Sequence, residues 1–291
     1  MPSLKETKTH IASVKSTLKI TSAMKLVASA KLHRAQQAVE GMRPYAGRLA
    51  GILAEIPAAE NPYTAPREEI HRVALVAFAS NSSLCGGFNA SALRLTLETV
   101  EAYRAEGITK VSVFAVGRKV ADALKKVGLT APALEGITPE GLTHLAEHPS
   151  YEGAAALASA LMAAYADGTF DRIELIHNHF ISTASQKPQR AAFLPADLPA
   201  WDEAAADRDD VIVEPDPATA FAALLPQVIR LSLYTALLDS AAAEHAARTI
   251  AMQTASDNAE DLLDTLTLEY NKARQQKITA EILDIVGGMA V

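Results

Sequence analysis

Apolar positions in the first sixty residues repeat with the alternating spacing of four and three that is typical of a coiled coil. The repeat runs without interruption through Ala28, Leu32, Ala35, Val39, Met42, Ala46, Leu49, Leu53 and Ile56. Further upstream, the same rhythm selects the polar residues Thr21 and Lys25. The nearest apolar residues are Met24 and Val27, so the pattern predicts that the seam shifts near Met24 and that helix pairing loosens there.

A second long helix is predicted at the other end of the chain. Residues 227–286 contain neither proline nor glycine, and a helix of this length measures about 90 Å at about 1.5 Å per residue. Neither long helix can bury its stripe on a shorter core, so the two are expected to pair as an antiparallel coiled coil. If their bases are level, residue numbers that sum to about 272 lie side by side, and the second helix overhangs from about Glu269.

Between the two helices, apolar runs of strand length alternate with helical stretches. Strands are predicted at 72–79 and 110–116, each followed by a helix, and at 171–181 and 190–194 after a helix at about 152–166. Such alternation favours a mostly parallel, Rossmann-like sheet. The fold class is therefore α/β, with an α/β domain inserted between the helices of a coiled coil.

The positions of proline, glycine and the polar linker suggest that the chain has three regions. They are an N-terminal helix over 1–58, in which Pro44 is expected to produce a bend, an α/β domain over 68–200, and a C-terminal helix over 216–291. The span 196–217 is a linker rich in Pro and Asp. At its end, Asp216 and Pro217 have the residue types of an N-cap and a first helical position.

Charge and composition exclude several classes of protein. The chain has 291 residues, 49% of them hydrophobic, and a formal net charge of −7, which is typical of a globular protein. The first helix is basic, but the second is acidic, so we interpret the lysines as partners of that helix and not as a nucleic-acid interface. The basic residues are Lys5, Lys8, Lys15, Lys19, Lys25, Lys31 and Arg34.

The apolar segments also bear on membranes and disulfides. No uninterrupted apolar run approaches 18 residues, and the N-terminus lacks the apolar block of a secretory signal, so neither a membrane span nor a signal is expected. Cys85 is the single cysteine, which excludes an internal disulfide.

The turn after the first strand has the sequence LCGGFN, from Leu84 to Asn89. Gly86 and Gly87 stand where a phosphate loop would have glycines, but the turn has no lysine and matches neither GxGxxG nor GxxxxGK[ST]. It is therefore interpreted as a structural tight turn. Cys85 has no visible base or positive environment that would activate a thiolate, so it is expected to be inert.

Two histidine pairs could suggest a metal. His144 and His148 match H-x-x-E-H, but Pro149 would end a helix at once, and a solvated surface turn is expected. His177 and His179 share one face of a strand, predicted to be an exposed face, and have no identifiable third ligand. No cofactor, metal or catalytic residue is assigned, although metal binding by His177 and His179 stays open.

Several segments in one order resemble the gamma subunit of the rotary F-type ATP synthase, bacterial type. They are IASVKSTLKITSAMKLVASAKLHRAQ, LCGGFN, VEPDP, EHAARTIAMQTASDNAEDL and LTLEYNKARQQKITAEILDIVGG. The resemblance covers nearly the whole chain. It departs before the turn, where the family usually has an acidic residue, a basic or amide residue and a glycine, and this chain has Asn81, Ser82 and Ser83.

The resemblance implies a non-catalytic rotor shaft that couples turning of the membrane c-subunit ring to conformational change in the catalytic beta subunits. Implied partners are the alpha and beta subunits, an epsilon-type subunit and the c-ring, at the cytoplasmic face of the bacterial inner membrane. Residues that match the family's beta-contacting positions are Met24, Lys25, Arg248, Arg274, Gln275 and Thr279. The overhanging end, with its stripe of Ile278, Ile282, Ile285 and Val286, is expected to form a bearing tip.

Two other classes of function remain as alternatives. One is a Rossmann-like nucleotide-binding enzyme with helical dimerisation arms, which would need a phosphate cradle and catalytic groups. The other is a coiled-coil adaptor unrelated to rotation. Co-purification with a nucleotide-hydrolysing hexamer would distinguish both from the shaft.

Overall fold

The computed structural model describes residues 3–56, 60–129, 131–197 and 213–289. Its elements in chain order are α1 (Leu4–Ala54), β1 (Arg72–Phe78), α2 (Phe88–Ala105), β2 (Lys110–Val116), α3 (Arg118–Lys126), α4 (Pro139–Glu147), α5 (Tyr151–Ala166), β3 (Arg172–Ser182), β4 (Ser185–Leu194) and α6 (Pro217–Met289). Contacts divide the chain into two compact units. A two-helix unit comprises residues up to Ser29 and from Arg248 onward, and an α/β unit runs from Ala30 to Ala247.

Local side-chain caps explain where the two long helices begin. At α1, the Ser3 hydroxyl accepts from the Glu6 N–H at 3.2 Å, and the Glu6 carboxylate accepts from the Ser3 N–H at 2.7 Å, which is a capping box. At α6, Asp216 accepts from the Thr219 N–H at 2.9 Å. That bond is the main cause of a lowered pKa for Asp216, and it confirms the predicted cap. The predicted linker before it lies largely outside the described residues.

The α/β unit is built on a four-stranded sheet in the order β2-β1-β3-β4. Strands β2, β1 and β3 are parallel, and β4 is an antiparallel edge strand. The mostly parallel sheet is thus confirmed. Strand β4 begins at Ser185 and not near 190 as predicted. The prediction missed its first half because that half is polar and contains Pro188, a residue that weakens the sequence pattern of a strand.

Apolar side chains cover both faces of this sheet. Residues 73–78 of β1 are all buried, as expected for a central parallel strand. One face packs against α2 and α3 through residues such as Val100 and Leu124. The other face packs against α4, α5, the base of α1 and the first turns of α6, where Phe221, Leu225 and Leu233 join the core.

Helix α6 is also long and apolar enough, by length and composition alone, to cross a membrane. The sequence-based expectation considered only uninterrupted apolar runs, and it therefore did not identify this segment. Of the 18-residue stretch concerned, 44% is buried inside the protein. A core helix passes the same test, and the core positions of Phe221, Leu225 and Leu233 account for the apolar character of α6 near its start.

The two-helix unit has an antiparallel seam, and its heptad spacing continues through polar residues. Thr21 is buried and its hydroxyl lies 2.8 Å from that of Ser256, while Lys25 Nζ donates to Gln253 Oε1 at 2.7 Å. Val27 is exposed. The predicted seam shift near Met24 is therefore wrong, because polar groups on α6 satisfy the two polar seam positions.

The register and the charge pairing also differ from expectation. Level bases would place Thr21 beside residue 251, but it pairs with Ser256, so the two helices are offset by about five residues.

The lysines at 5, 8, 15, 19 and 31 are all exposed. Among the described residues, no ion pair joins these lysines to α6. The interpretation of the basic stripe as a partner of the acidic helix is not supported. Helix α1 continues through Pro44, which does not end it.

Candidate functional site

The end of α6 forms a continuous exposed segment. Side chains from Arg274 to Val286 are all exposed, and Ala273 is the last half-buried residue before them. Thr279 donates to the Gln275 carbonyl at 2.9 Å, one turn earlier in the same helix. The apolar side chains of this segment are also exposed, at Ile278, Ile282, Leu283, Ile285 and Val286.

The other candidate contact residues of the two-helix unit are less accessible. Met24 is half-buried, the Lys25 amine donates to Gln253, and Arg248 is buried at 9% exposure. The structure therefore places Arg274, Gln275 and Thr279 on an open surface. Met24, Lys25 and Arg248 are less accessible than these three residues.

In the α/β unit, helix α6 occupies the place where a nucleotide would be expected. Open α/β sheets bind ligands at the carboxyl ends of their strands. Here Leu237 and Ala241 of α6 lie beside Phe78 and Ala79 at the end of β1, and the remaining cavity is about 10 Å³. Such a space holds one water at most, so α6 packs closely against the end of β1 at this point.

The LCGGFN turn is closed by its own hydrogen bonds. Asn89 Oδ1 accepts from the Ser80 N–H at 3.0 Å, and Asn89 Nδ2 donates to the Ser80 hydroxyl at 2.8 Å. Cys85 is buried and packs with Phe88 against Ala243 of α6. The turn therefore contacts a helix where a phosphate loop would need an open cradle.

Asn81, in the segment that departs from the family pattern, joins the loop after β1 to helices α3 and α4. Its Oδ1 accepts from the Arg118 N–H at 3.0 Å, and its Nδ2 donates to the Thr143 carbonyl at 2.7 Å. The Arg118 guanidinium donates to the Asn81 carbonyl at 2.9 Å. A carboxylate at this position could not donate to Thr143, so the amide has a specific structural role here.

His144 lies in helix α4 and His148 is the residue that caps its C-terminus, so the predicted turn is wrong for His144. Pro139 occupies the first turn of α4, and Thr138 caps it by accepting from the Gly141 N–H at 3.0 Å. The proline thus starts the helix, as is common at that position. Both imidazoles are exposed, with ring centroids 4.9 Å apart.

His177 and His179 contact a carboxylate that no local sequence pattern pairs with them. Asp239 Oδ2 lies 2.7 Å from His179 Nδ1 and 3.5 Å from His177 Nε2. His177 is buried, so the predicted exposed face is wrong for that residue. Within the described part of the chain, no group of three His, Cys, Asp or Glu side chains is arranged to hold a metal ion.

Asp239 is held ionised by these partners. Its burial is the largest single effect and raises its pKa, but hydrogen bonds from His177, His179 and the Phe180 N–H together lower it below the ordinary value. Sequence reasoning missed Asp239 because about 60 residues separate it from its partners, and no local pattern marks it.

Comparison with known proteins identifies the family. The family model described as ATP synthase matches residues 3–291. The ATP synthase gamma chain of Phocaeicola vulgatus is 50% identical over 99% of both chains, and that of Flavobacterium johnsoniae is 40% identical over 99% of this chain and 98% of the relative. The chain belongs to the ATP synthase gamma chain family.

Solved structures agree on the fold of this gamma chain family member. A chain of the Euglena gracilis mitochondrial ATP synthase matches with a TM-score of 0.63 and 19% identity, over 99% of this chain and 93% of that one. A chain of the central stalk and c-ring of the Tetrahymena thermophila enzyme matches with a TM-score of 0.55 and 22% identity, over 81% and 99%. At these identities the likeness supports the coiled coil with an inserted α/β domain.

Proposed function

We propose that the chain is the central rotor shaft subunit of a proton-translocating ATP synthase. Full-length identity of 50% to an ATP synthase gamma chain supports membership of that complex. The observation that carries the mechanical role is the end of α6, where 13 consecutive residues from Arg274 to Val286 are exposed. An apolar stripe on such a segment is typical of a binding surface.

The proposed mechanism needs no catalytic group on this chain. A coiled coil with different residues on each side offers a different surface to each of three identical catalytic subunits. Each rotational position then stabilises different conformations of those subunits, since only differential contact free energy can shift their populations. Turning of the c-ring thus drives ATP synthesis, and ATP hydrolysis drives the reverse rotation.

The partners follow from the same proposal. The two-helix unit would stand within the ring of alpha and beta subunits, and the α/β unit would bind the epsilon-type subunit and the c-ring. The chain would lie at the cytoplasmic face of the bacterial inner membrane and associate with the membrane only through the complex. The narrow cavity beside Leu237 and Ala241 argues against the alternative of a nucleotide-binding enzyme.

Individual residues have proposed roles. Arg274, Gln275 and Thr279 would hydrogen-bond to a beta-subunit loop, which their exposure allows. Ile278, Ile282, Ile285 and Val286 would form the bearing tip. Met24, Lys25 and Arg248 would face a mobile region of the beta subunits. For Lys25, that contact would compete with its present hydrogen bond to Gln253.

Reconstitution of a complete ATP synthase complex in vesicles, with this chain as its gamma subunit, tests the proposal. The wild-type chain should restore ATP-driven proton pumping, and the isolated chain should not hydrolyse ATP. Arg274→Ala should leave the fold intact and weaken coupling, because it removes about 1.5 to 3 kcal/mol of charge-assisted contact. Arg104→Ala, at an exposed position on α2, is the matched control and should pump normally.

Two results would contradict this proposal. Normal pumping by the Arg274→Ala complex would show that this residue is only solvated surface. Hydrolysis by the isolated chain that disappears when Gly86 or Gly87 is substituted would instead support the enzyme.

A further inference from the structure

The hairpin of β3 and β4 extends beyond the central sheet. Pairing of β1 with β3 ends at Ala77 and Ile176, whereas pairing of β3 with β4 continues to Ser182 and Ser185. The residues of β3 after Ile176 therefore have β4 as their strand partner on one side only. On the other side they meet helix α6.

Phe180 in this extension packs against two apolar clusters that include residues of both long helices. Its side chain is half-buried. The first cluster contains Leu32 and Ala35 of α1 with Ala242 and Ala246 of α6. The second contains Cys85 of the turn before α2 and Phe88, the first residue of α2, with Ala243 and Ala247 of α6. Phe180 is thus the one large side chain shared between both long helices and the sheet in these two clusters.

Asp239 fixes the position of Phe180. A register irregularity lies between Phe180 and Ser182, and such bulges redirect backbone groups out of the strand ladder. The Phe180 N–H donates to Asp239 Oδ1 at 3.0 Å, and His179 Nδ1 lies 2.7 Å from Asp239 Oδ2. One carboxylate on α6 therefore holds two consecutive residues of the hairpin.

We propose that Phe180, held by Asp239, is a positioning residue that fastens the two long helices to the sheet and so transmits torque between them. This inference rests on the proposed rotor function. The helix surface around Phe180 is mostly alanine, and alanine side chains are too short to replace its contacts. The main core also holds both helices to the sheet, through residues such as Leu53 and Leu225. Truncation of Phe180 should therefore loosen the helices locally, near Leu32 and Ala242, where a large side chain leaves a gap.

The effect of Phe180 on the position of the long helices relative to the sheet can be measured in the isolated full-length chain. Spin labels at Arg34→Cys on α1 and Glu101→Cys on α2, both exposed, report the distance between α1 and α2. Because α2 packs on the sheet, this distance follows the position of α1 relative to the sheet. Cys85 is 2% exposed but lies in the cluster that Phe180 covers, so every labelled variant also carries Cys85→Ala. Phe180→Ala should broaden the distance distribution, Asp239→Ala should broaden it less, and Phe180→Leu should largely restore it.

A control variant distinguishes a loss of helix positioning from a general loss of stability. Phe170 is also buried and packs edge-on against Phe114 with centroids 5.9 Å apart, in the core of the same unit. Phe170→Ala should lower stability while the distance distribution of the folded protein stays narrow. An unchanged distribution in Phe180→Ala, or equal broadening in Phe170→Ala, would overturn the proposal.

The reconstituted complex supplies the functional readout. Per assembled complex, the ratio of proton pumping to ATP hydrolysis should fall about 2- to 30-fold in Phe180→Ala, the range expected for residues that couple two sites. Phe170→Ala should keep the wild-type ratio, and Phe180→Leu should recover most of it. A normal ratio in Phe180→Ala would refute torque transmission by this residue. Failure of the wild-type complex to pump would refute the rotor function instead, and the label distances would still decide whether Phe180 fastens the helices.

Discussion

The two units of this protein bury their side chains in different ways. In the α/β unit, Val73 and Leu75 on one face of the sheet and Ala74 and Val76 on the other are completely buried. In the two-helix unit, buried apolar residues such as Val14 and Leu266 alternate along the seam with buried hydroxyl residues. Those hydroxyl residues are Thr7, Thr21 and Ser256.

This difference has a mechanical meaning. A sheet covered on both faces resists local opening, because any displacement exposes many apolar groups at once. A two-helix seam with small and polar residues gains less from each contact, so its helices depend more on neighbours that cover them. The α/β unit therefore has the packing of a rigid base, and the two-helix unit has the packing of a segment completed by partners.

The largest expected effect compares one substitution in both units. Leu161→Ala, at a fully buried core position, should reduce the free energy of unfolding by about 2 to 5 kcal/mol. Leu266→Ala in the seam should cost less than about 2 kcal/mol, because a seam open on its sides collapses around the gap. Hydrogen exchange along a urea titration measures both, and equal losses would contradict the comparison.

A second test concerns polar groups. Asn81→Asp removes the donor to the Thr143 carbonyl and should cost about 1 to 3 kcal/mol in the α/β unit. Asn258→Asp on the exposed surface of α6 is the matched control and should be close to neutral. Urea unfolding of the two variants checks this, and a neutral Asn81→Asp would mean that the amide bridge is not needed.

A third test addresses the polar seam. Thr21→Val leaves the Ser256 hydroxyl without its 2.8 Å partner and should cost about 1 kcal/mol. Adding Ser256→Ala should recover most of that loss, since replacing both partners by apolar groups can be nearly neutral. A double-mutant cycle by urea unfolding measures the coupling, and additive losses would show that the hydroxyl pair contributes nothing.

The smallest expected effect is the pH dependence of Asp239. Its pKa is lowered in the folded protein from an ordinary value of 3.8, so the ionised carboxylate stabilises the fold above that pH. The contribution is lost as pH falls through the lower, folded pKa. The stability difference between wild type and Asp239→Asn should therefore shrink as the pH falls below 3.8. A difference that keeps growing below pH 3.8 would contradict the contacts that lower the pKa of Asp239.

Much of the fold could be predicted from local pattern. The apolar runs of β1 and β2, and the cap at Asp216 with Pro217, are complete signals within a few residues. Helix α4 was missed because Pro139 reads as a breaker until its place in the first turn is known. The first half of β4 was missed because an exposed edge strand lacks a buried face to give it a pattern.

The long-range polar contacts could not be predicted. Thr21 reads as a defect in the heptad pattern because its partner Ser256 is 235 positions away. Asp239 similarly resembles an ordinary acidic residue on a helix. The exposed tip was predicted, since it follows from the unequal lengths of the two helices, although the helices are offset from the register expected for level bases.

The most direct test of the central claim is hydrogen exchange of the α6 tip in the isolated and assembled protein. In the isolated chain, amides from Arg274 to Val286 should exchange quickly, because no neighbouring chain stabilises this part of the helix. In the complex with the alpha and beta subunits, the same amides should be strongly protected. Slow exchange in both states would show that the tip is stable without a partner, and fast exchange in both would show that the ring does not bind it.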